Sequence, residues 1–264
     1  MTELQKCLLD ILLEVDRLCR ENGIKYFLIG GTLLGAVRHN GFIPWDDDLD
    51  IAMDLDDYRR FLKIARKKLP DTLFLQCTYT DLWYPAFAKI RKNGTAMIEK
   101  EFKGRNFHQG VWIDVFPLVS VPEDEKKAAS LNKKIRLSYI LTQDAFWTKD
   151  DKPSPKLKAL SLIPLSLRRF ACRMIRKNAL KPAQKGKYCT HCSHFRLRRR
   201  YLSEDFGETV YIGFEGHELP CPKGYDSILT AAYGDYMTPP PPDKRTAAHN
   251  IATLDLTRSY KNFI

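Results

Sequence analysis

The residues best suited to chemistry lie within positions 26–53, which read YFLIGGTLLGAVRHNGFIPWDDDLDIAM. This stretch ends in a group of carboxylates: Asp46, Asp47, Asp48 and Asp50. Side chains alternate faces along a strand, so a strand over this segment would project Asp48 and Asp50 to the same side. Two carboxylates held that close repel each other unless a cation lies between them. The spacing therefore predicts a site for a hard divalent ion, Mg²⁺ or Mn²⁺.

The pair Gly30-Gly31 precedes these acids and follows a short apolar run that is typical of a strand. The next residues, 32–39, are predicted to form a short helix that Thr32 caps. Glycines allow a ligand to approach the backbone closely, and the start of a helix offers free N–H groups, so this part is predicted to bind phosphate with help from Arg38. A phosphate site followed by paired carboxylates indicates metal-assisted phosphoryl or nucleotidyl transfer.

Two other interpretations of the acidic run were weighed. A solvated surface is the usual explanation of such a run, but here apolar residues precede it and an alternating segment follows it. A calcium loop of the EF-hand type would need glycine at its sixth position and glutamate at its twelfth, where this chain has Ile51 and Asp57. The catalytic interpretation is therefore favoured.

A third acid, Asp114, interrupts the apolar segment GVWIDVFP at positions 110–117. A lone carboxylate in a buried strand costs several kcal/mol unless it is paired or bound to metal. A structural partner would satisfy it, but a third carboxylate beside Asp48 and Asp50 would complete a metal site, and this second interpretation is favoured. Asp114 is also predicted to help remove the proton from an attacking hydroxyl.

Basic residues elsewhere are candidates for phosphate contacts. Lys89 and Arg91 share one face of a predicted strand, the first arm of a hairpin over 87–102 that turns at Asn93-Gly94. Arg245 and His249 follow the rigid run of prolines at 239–242, which would deliver them to the site. For both pairs the alternative is a solvated surface without a role.

Three segments resemble the LicD-type phosphotransferase family, which includes phosphocholine transferases and is related to ribitol-phosphate transferases. They are GGTLLGAVRHNGFIPWDDDLDI, the later IDVFPL, and the closing pattern of YGDYM and prolines followed by Arg and His. The resemblance implies a nucleotidyltransferase-like fold, a divalent metal, and transfer of a phospho-alcohol from a CDP-activated donor to a glycan hydroxyl with release of CMP. It also implies the third-acid role of Asp114. The alternative is a nucleotidyltransferase that moves a nucleoside monophosphate and releases pyrophosphate.

The net charge of +11 over 264 residues is concentrated in one region. Positions 152–200 contain 15 Lys and Arg and no Asp or Glu, whereas the remaining residues are 28 basic and 32 acidic. Its apolar residues are interleaved with the basic ones, which is typical of a helix in contact with an anionic membrane. A peripheral membrane contact through 157–200 is therefore predicted, with an ordinary core-packed helix as the alternative and nucleic acid not expected.

Seven cysteines without a recognisable signal peptide favour a reducing compartment, so a cytoplasmic protein is expected, in peripheral contact with the inner face of the membrane. Cys189 and Cys192 form a single CxxC pair, and a structural zinc there is not favoured because no matching second pair follows. The predicted fold is α/β (α+β): a nucleotidyltransferase-like small mixed sheet flanked by helices. Its predicted parts are a catalytic core over 1–148, a basic, partly helical insertion over 149–205, and a part that completes the catalytic domain over 206–264.

Overall fold

A computed structural model describes residues 1–81, 86–142, 154–192 and 199–264 of the chain. The predicted mixture of helices and a mixed sheet is confirmed. The helices are α1 Glu3–Glu21, α2 Gly30–His39, α3 Leu55–Lys68, α4 Glu125–Ile140, α5 Pro155–Ser161, α6 Leu165–Ala179 and α7 Tyr225–Tyr233. The strands are β1 Phe27–Leu28, β2 Asp50–Asp54, β3 Leu73–Gln76, β4 Ala88–Lys92, β5 Ala96–Glu99, β6 Trp112–Val121, β7 Tyr188–His191, β8 Tyr201–Leu202, β9 Thr209–Phe214, β10 His217–Pro222 and β11 Ile251–Asp255.

Strand β6 is the centre of a seven-stranded sheet with the order β1-β2-β6-β4-β3. Its first half lies between β2, to which it is parallel, and β4, to which it is antiparallel. Its second half pairs with β7, and β7 pairs with β8. A strand with neighbours on both sides and cover on both faces is expected to be almost entirely apolar. This explains why Asp114 is the single acid in the sequence of β6.

Helices α1 and α3 cover one face of this sheet. The first turn of α1 is fixed by a capping box, in which Thr2 and Gln5 each accept a hydrogen bond from the other's backbone N–H. Its apolar stripe is fully buried, and α3 buries Phe61 in the same way. The opposite face of the sheet carries the polar side chains of the candidate site.

The predicted hairpin over 87–102 is wrong in its pairing, although its turn is correct. β4 ends at Lys92 and Gly94 adopts a φ of +76°, as a tight turn requires. However, both edges of β4 are taken by β3 and β6, so β5 has no free edge to join. Instead β5 pairs with β11, in a separate two-stranded sheet.

The basic region contributes to the sheet as well as to helices. α5 and α6 are separated at Pro164, α6 packs on α4, and the following β7 and β8 extend the central sheet. The acidic-capped helix α4 precedes this region and ends at Ile140. The proposed domain boundaries stay a prediction. Among the described helices, none has the length and apolar character needed to cross a membrane.

Candidate active site

Three charged side chains lie side by side across neighbouring strands. Asp50 of β2 is in register with Asp114 of β6, and Asp114 is in register with Lys89 of β4. Residues in register on adjacent strands project from the same face, so the three side chains form a continuous row, here called the acid row. Lys89 Nζ lies 2.7 Å from Asp114 Oδ1, and the lysine side chain is only 3% exposed. The sheet therefore sets two carboxylates and one cation in a fixed line.

Asp48 lies near the acid row, although it belongs to an irregular segment that precedes β2. The regular strand β2 begins only at Asp50, so the predicted strand, which carries Asp46 to Asp50 and continues to Met53, starts too early. The Leu49 carbonyl already accepts a hydrogen bond from the Asp114 N–H. The negative charges of Asp48 and Asp114 nevertheless act on each other and on Asp50. The structure thus brings together the three acids singled out in the sequence.

The N-terminus of α2 is packed against these acids. The helix begins at Gly30, two residues earlier than predicted, and Thr32 is not its cap: the Thr32 hydroxyl accepts a hydrogen bond of 2.8 Å from the Asp50 N–H. A Cβ atom on Gly30 would lie 3.1 Å from Asp50 Oδ2, and one on Gly31 would lie 2.8 Å from Asp46 Oδ2. The two glycines therefore allow carboxylates to approach a helix N-terminus, where negative charge is favoured.

The carboxylates are crowded enough to hold protons. Burial raises the pKa of Asp46 to about 8, and the charge of Asp48 adds to the effect. Burial also raises the pKa of Asp50 well above its usual range, with Asp48 and Asp114 acting in the same direction and Lys89 opposing them. For Asp48, burial raises the pKa although His249 counteracts it. Such mutual repulsion is relieved by a bound cation as well as by protons.

Asp47 lies beside Asp46 and Asp48 and also fastens the C-terminal segment. Its carboxylate accepts hydrogen bonds from the N–H groups of Ala248 and His249, at 3.1 and 3.2 Å, and lies 3.1 Å from His249 Nδ1. Burial lowers the pKa of His249, but the hydrogen bond to Asp47 and the charge of Asp48 outweigh it, so the net pKa is raised. Residues 245–250, here called the strap, are thereby held over the acids.

Two site residues were missed by sequence reasoning. Burial raises the pKa of Glu99, at the end of β5, while the positive charges of Lys89 and His249 lower it. Burial raises the pKa of Tyr233 to about 12, with the charges of Asp50 and Asp46 contributing. Glu99 stands in no distinctive motif, whereas Tyr233 opens the YGDYM segment. Their places near the acids depend on the pairing of β5 with β11 and on the packing of α7 against α2.

The candidate phosphate-binding residues divide into two groups. Arg38 donates to the Tyr236 carbonyl at 2.7 Å, and Arg245 lies over the Trp45 ring at 5.2 Å. Burial lowers the pKa of Arg38, and the positive charge of Arg245 contributes, so the two guanidinium groups lie close enough to repel. Arg91, in contrast, is 1% exposed and donates to Gln76 and to the Gly110 carbonyl, which keeps it within the sheet.

The donor set suits a hard divalent cation. In the described part of the chain, the group of potential ligands with atoms within 4.8 Å of one another is Asp46, Asp47 and Asp48, which overlaps the predicted set at Asp48. Oxygen ligands of this kind fit Mg²⁺ or Mn²⁺. Cys189 and Cys192 are buried thiols, and burial raises the pKa of each to about 12, which opposes the thiolate form that zinc requires. His194 lies outside the described residues.

Comparison with known proteins adds to this geometry. The profile described as "LicD/FKTN/FKRP, nucleotidyltransferase domain" matches residues 23–176. The chain belongs to the LicD family. It is 30% identical to the lipopolysaccharide cholinephosphotransferase LicD of Haemophilus influenzae, over 94% of this chain and 96% of that protein.

Shorter similarities extend to animal members of the family. A stretch of 35 residues, 13% of this chain and 7% of the relative, is 54% identical to the ribitol 5-phosphate transferase FKRP of human and of mouse. Membership of the LicD family and the likeness to LicD over nearly its whole length make this protein a transferase. The family match contains the acid row, whereas Tyr233 and the strap follow it in sequence.

Proposed function

We propose that this LicD-family transferase moves a phospho-alcohol, phosphocholine or a similar group, from a CDP-activated donor to a hydroxyl of a cell-surface glycan or glycolipid. Two observations support the reaction class: the names of the LicD and FKRP relatives, and the acid row beside a helix N-terminus. The second carries the proposal, because it joins a phosphate-binding element to paired carboxylates. The reaction would take place in the cytoplasm, where CDP-linked donors would be available to a protein with free thiols.

Asp48, Asp50 and Asp114 would hold Mg²⁺ or Mn²⁺, with Asp46 next to them. A divalent ion bound there would neutralise charge on the diphosphate of the donor. The raised pKa values of Asp46, Asp48 and Asp50 support this assignment, since each carboxylate is destabilised by its neighbours until positive charge enters. Lys89 fixes the side chain of Asp114 and places a basic group at the end of the acid row.

The surrounding residues would orient the donor. The backbone N–H groups of Gly30, Gly31 and Thr32 would donate hydrogen bonds to a phosphate oxygen, as helix N-termini commonly do. Arg38 and Arg245 would engage the outer phosphate or the CMP leaving group. Their mutual repulsion supports this role, because an anion between two nearby guanidinium groups stabilises both.

In the proposed step, the acceptor oxygen forms a bond to the distal phosphorus, and the bond from that phosphorus to the bridging oxygen breaks. CMP departs with the bonding electrons, and the hydroxyl proton is lost to a carboxylate, for which Asp114 is our candidate. His249, held by Asp47 and 3.9 Å from Asp48 Oδ2, would keep that edge of the cluster in place.

The test is a screen of CDP-choline, CDP-ribitol and CDP-glycerol for CMP release with purified glycan acceptors and Mn²⁺. The proposal expects CMP from one donor and a fall of at least about a thousandfold in Asp50→Asn, because this residue would bind the ion that stabilises the transition state. Asp10→Asn, an exposed acid of α1, is the matched control and should retain activity. Release of pyrophosphate from nucleoside triphosphates instead would establish the nucleotidyltransferase alternative.

A further inference from the structure

Helix α6 is oriented unusually for a surface helix. Its buried positions include Arg168 and Cys172, while Leu167, Phe170 and Met174 are 59%, 56% and 38% exposed. Arg168 is tied down by donating to the carbonyls of Ile163 and Leu141, at 2.8 and 3.1 Å. Surface helices normally bury their apolar stripe against the core. Here the buried arginine anchors the helix, and the apolar stripe faces outward.

Phe170 and Met174 of the exposed stripe line one wall of a groove whose other wall is α3. The groove has a volume of about 840 Å³, and Leu75 and Pro117 of the central sheet contribute to its floor. Leu75 alternates with Gln76, which is in register with Lys89, and Pro117 is three positions beyond Asp114. The groove therefore lies on the face of the sheet opposite to the acid row.

The charges along this groove have one sign. No aspartate or glutamate is among the described residues that line it, whereas six basic residues are: Arg59, Lys63, Arg66, Arg173, Arg176 and Lys177. Three of these belong to α3, which lies outside the basic region of the sequence. In the part of the chain that the structure describes, Lys63, Arg66 and Lys177 are in no ion pair. Leu162, three residues before α6, is 84% exposed.

We propose that the α3–α6 groove, with the outward stripe of α6, is a docking surface for an anionic phospholipid bilayer. The apolar side chains would contact the acyl chains of such a membrane, and the lysines and arginines that flank them would contact the phosphate headgroups. Nucleic acid or an acidic protein would match the cations but would leave the apolar stripe exposed to water. The inference goes beyond the proposed reaction, because adsorption can be measured without donor or acceptor.

The test is co-flotation of the full-length chain with vesicles of phosphatidylcholine alone or with 30% phosphatidylglycerol, at low and physiological salt. Binding to the anionic vesicles, weakened by salt, is expected. Each cation near an anionic surface contributes about fivefold, so Lys63→Gln/Arg66→Gln/Lys177→Gln should weaken binding about a hundredfold. Leu167→Ser/Phe170→Ser should also release the protein, since insertion of the apolar stripe would be lost.

Two controls are matched to these variants. Lys103→Gln/Lys223→Gln/Lys261→Gln removes the same charge from exposed positions elsewhere, and Tyr211→Ser removes an aromatic side chain that is 55% exposed on β9. Both should bind vesicles as the unaltered chain does. Equal melting temperatures will establish that all variants are folded. Absence of flotation, equal losses in the controls, or binding to soluble polyanions that does not need Leu167 and Phe170 would each overturn the proposal.

Discussion

Replacement of Lys89 by methionine tests the electrostatic logic of the acid row. Lys89 is 3% exposed and pairs with Asp114, whose side chain is 10% exposed, and Asp50 stands in register on the other side. Removing one partner of a buried pair leaves an uncompensated charge and costs about 3–5 kcal/mol. For a chain of this size that corresponds to a fall in Tm of roughly 10 °C. Methionine conserves the length of the side chain, so lost packing contributes little.

The measurement is thermal and urea unfolding in EDTA and in Mn²⁺, with two comparisons. Lys92→Met, on the same strand, breaks an exposed pair with Asp10 and should cost less than about 1 kcal/mol. The double variant Lys89→Met/Asp114→Asn should recover most of the stability, because the orphaned carboxylate is gone, but should not regain transferase activity. If Lys89→Met were as mild as Lys92→Met, or if the double variant were no more stable than the single one, the reasoning would be refuted.

Three further predictions concern the acidic loop, the strap and the glycine pair. The pKa of Asp46 is raised to about 8 in the folded chain, above its unfolded value, so the metal-free stability should fall as the pH rises towards 8, while the affinity for Mn²⁺ should increase. Unfolding and Mn²⁺ titration series over this pH range will check this, and Asp46→Asn should flatten both trends. Asp47→Ala should free the strap, reduce turnover about 10–100-fold and expose Arg245 to trypsin, and an unaltered digest would contradict it. Gly31→Ala should reduce activity about tenfold or more with little change in Tm, since the added methyl meets the Asp46 carboxylate. In Gly35→Ala the methyl would meet the backbone at Gly41 and should destabilise the fold, so equal losses of Tm in the two variants would argue against a site-specific role of Gly31.

Local patterns predicted much of the fold. The short helix after Gly30-Gly31 and the turn at Gly94 each depend on neighbours in sequence, and each is observed. The pairing of β5 with β11 depends on which sheet edges remain open, and no local pattern contains that information. Periodicity likewise found the stripe of α6 but could not reveal that it faces outward, because Arg168 takes the buried position.

The sequence singled out the three acids that converge in the structure, but it did not reveal their neighbours. Asp48, Asp50 and Asp114 stand out because each carboxylate interrupts or abuts an apolar run. Lys89 was singled out as a phosphate contact, whereas the structure pairs it with Asp114. Asp47 looked like one more member of an acidic run, and only its bonds to residues 248 and 249 distinguish its role. Such assignments require the fold, since the partners are some 200 residues apart.

The parallel pairing of β2 with β6 also has a consequence for the order of events in biogenesis. Positions 50 and 114 meet only after α3, β3, β4 and β5 have been made and the crossover has closed, so a nascent chain that ends before β6 lacks Asp114. Long-range closure of this kind is slow relative to helix formation. The carboxylates therefore converge late, and uptake of the proposed ion would be a signal that β2 and β6 have paired.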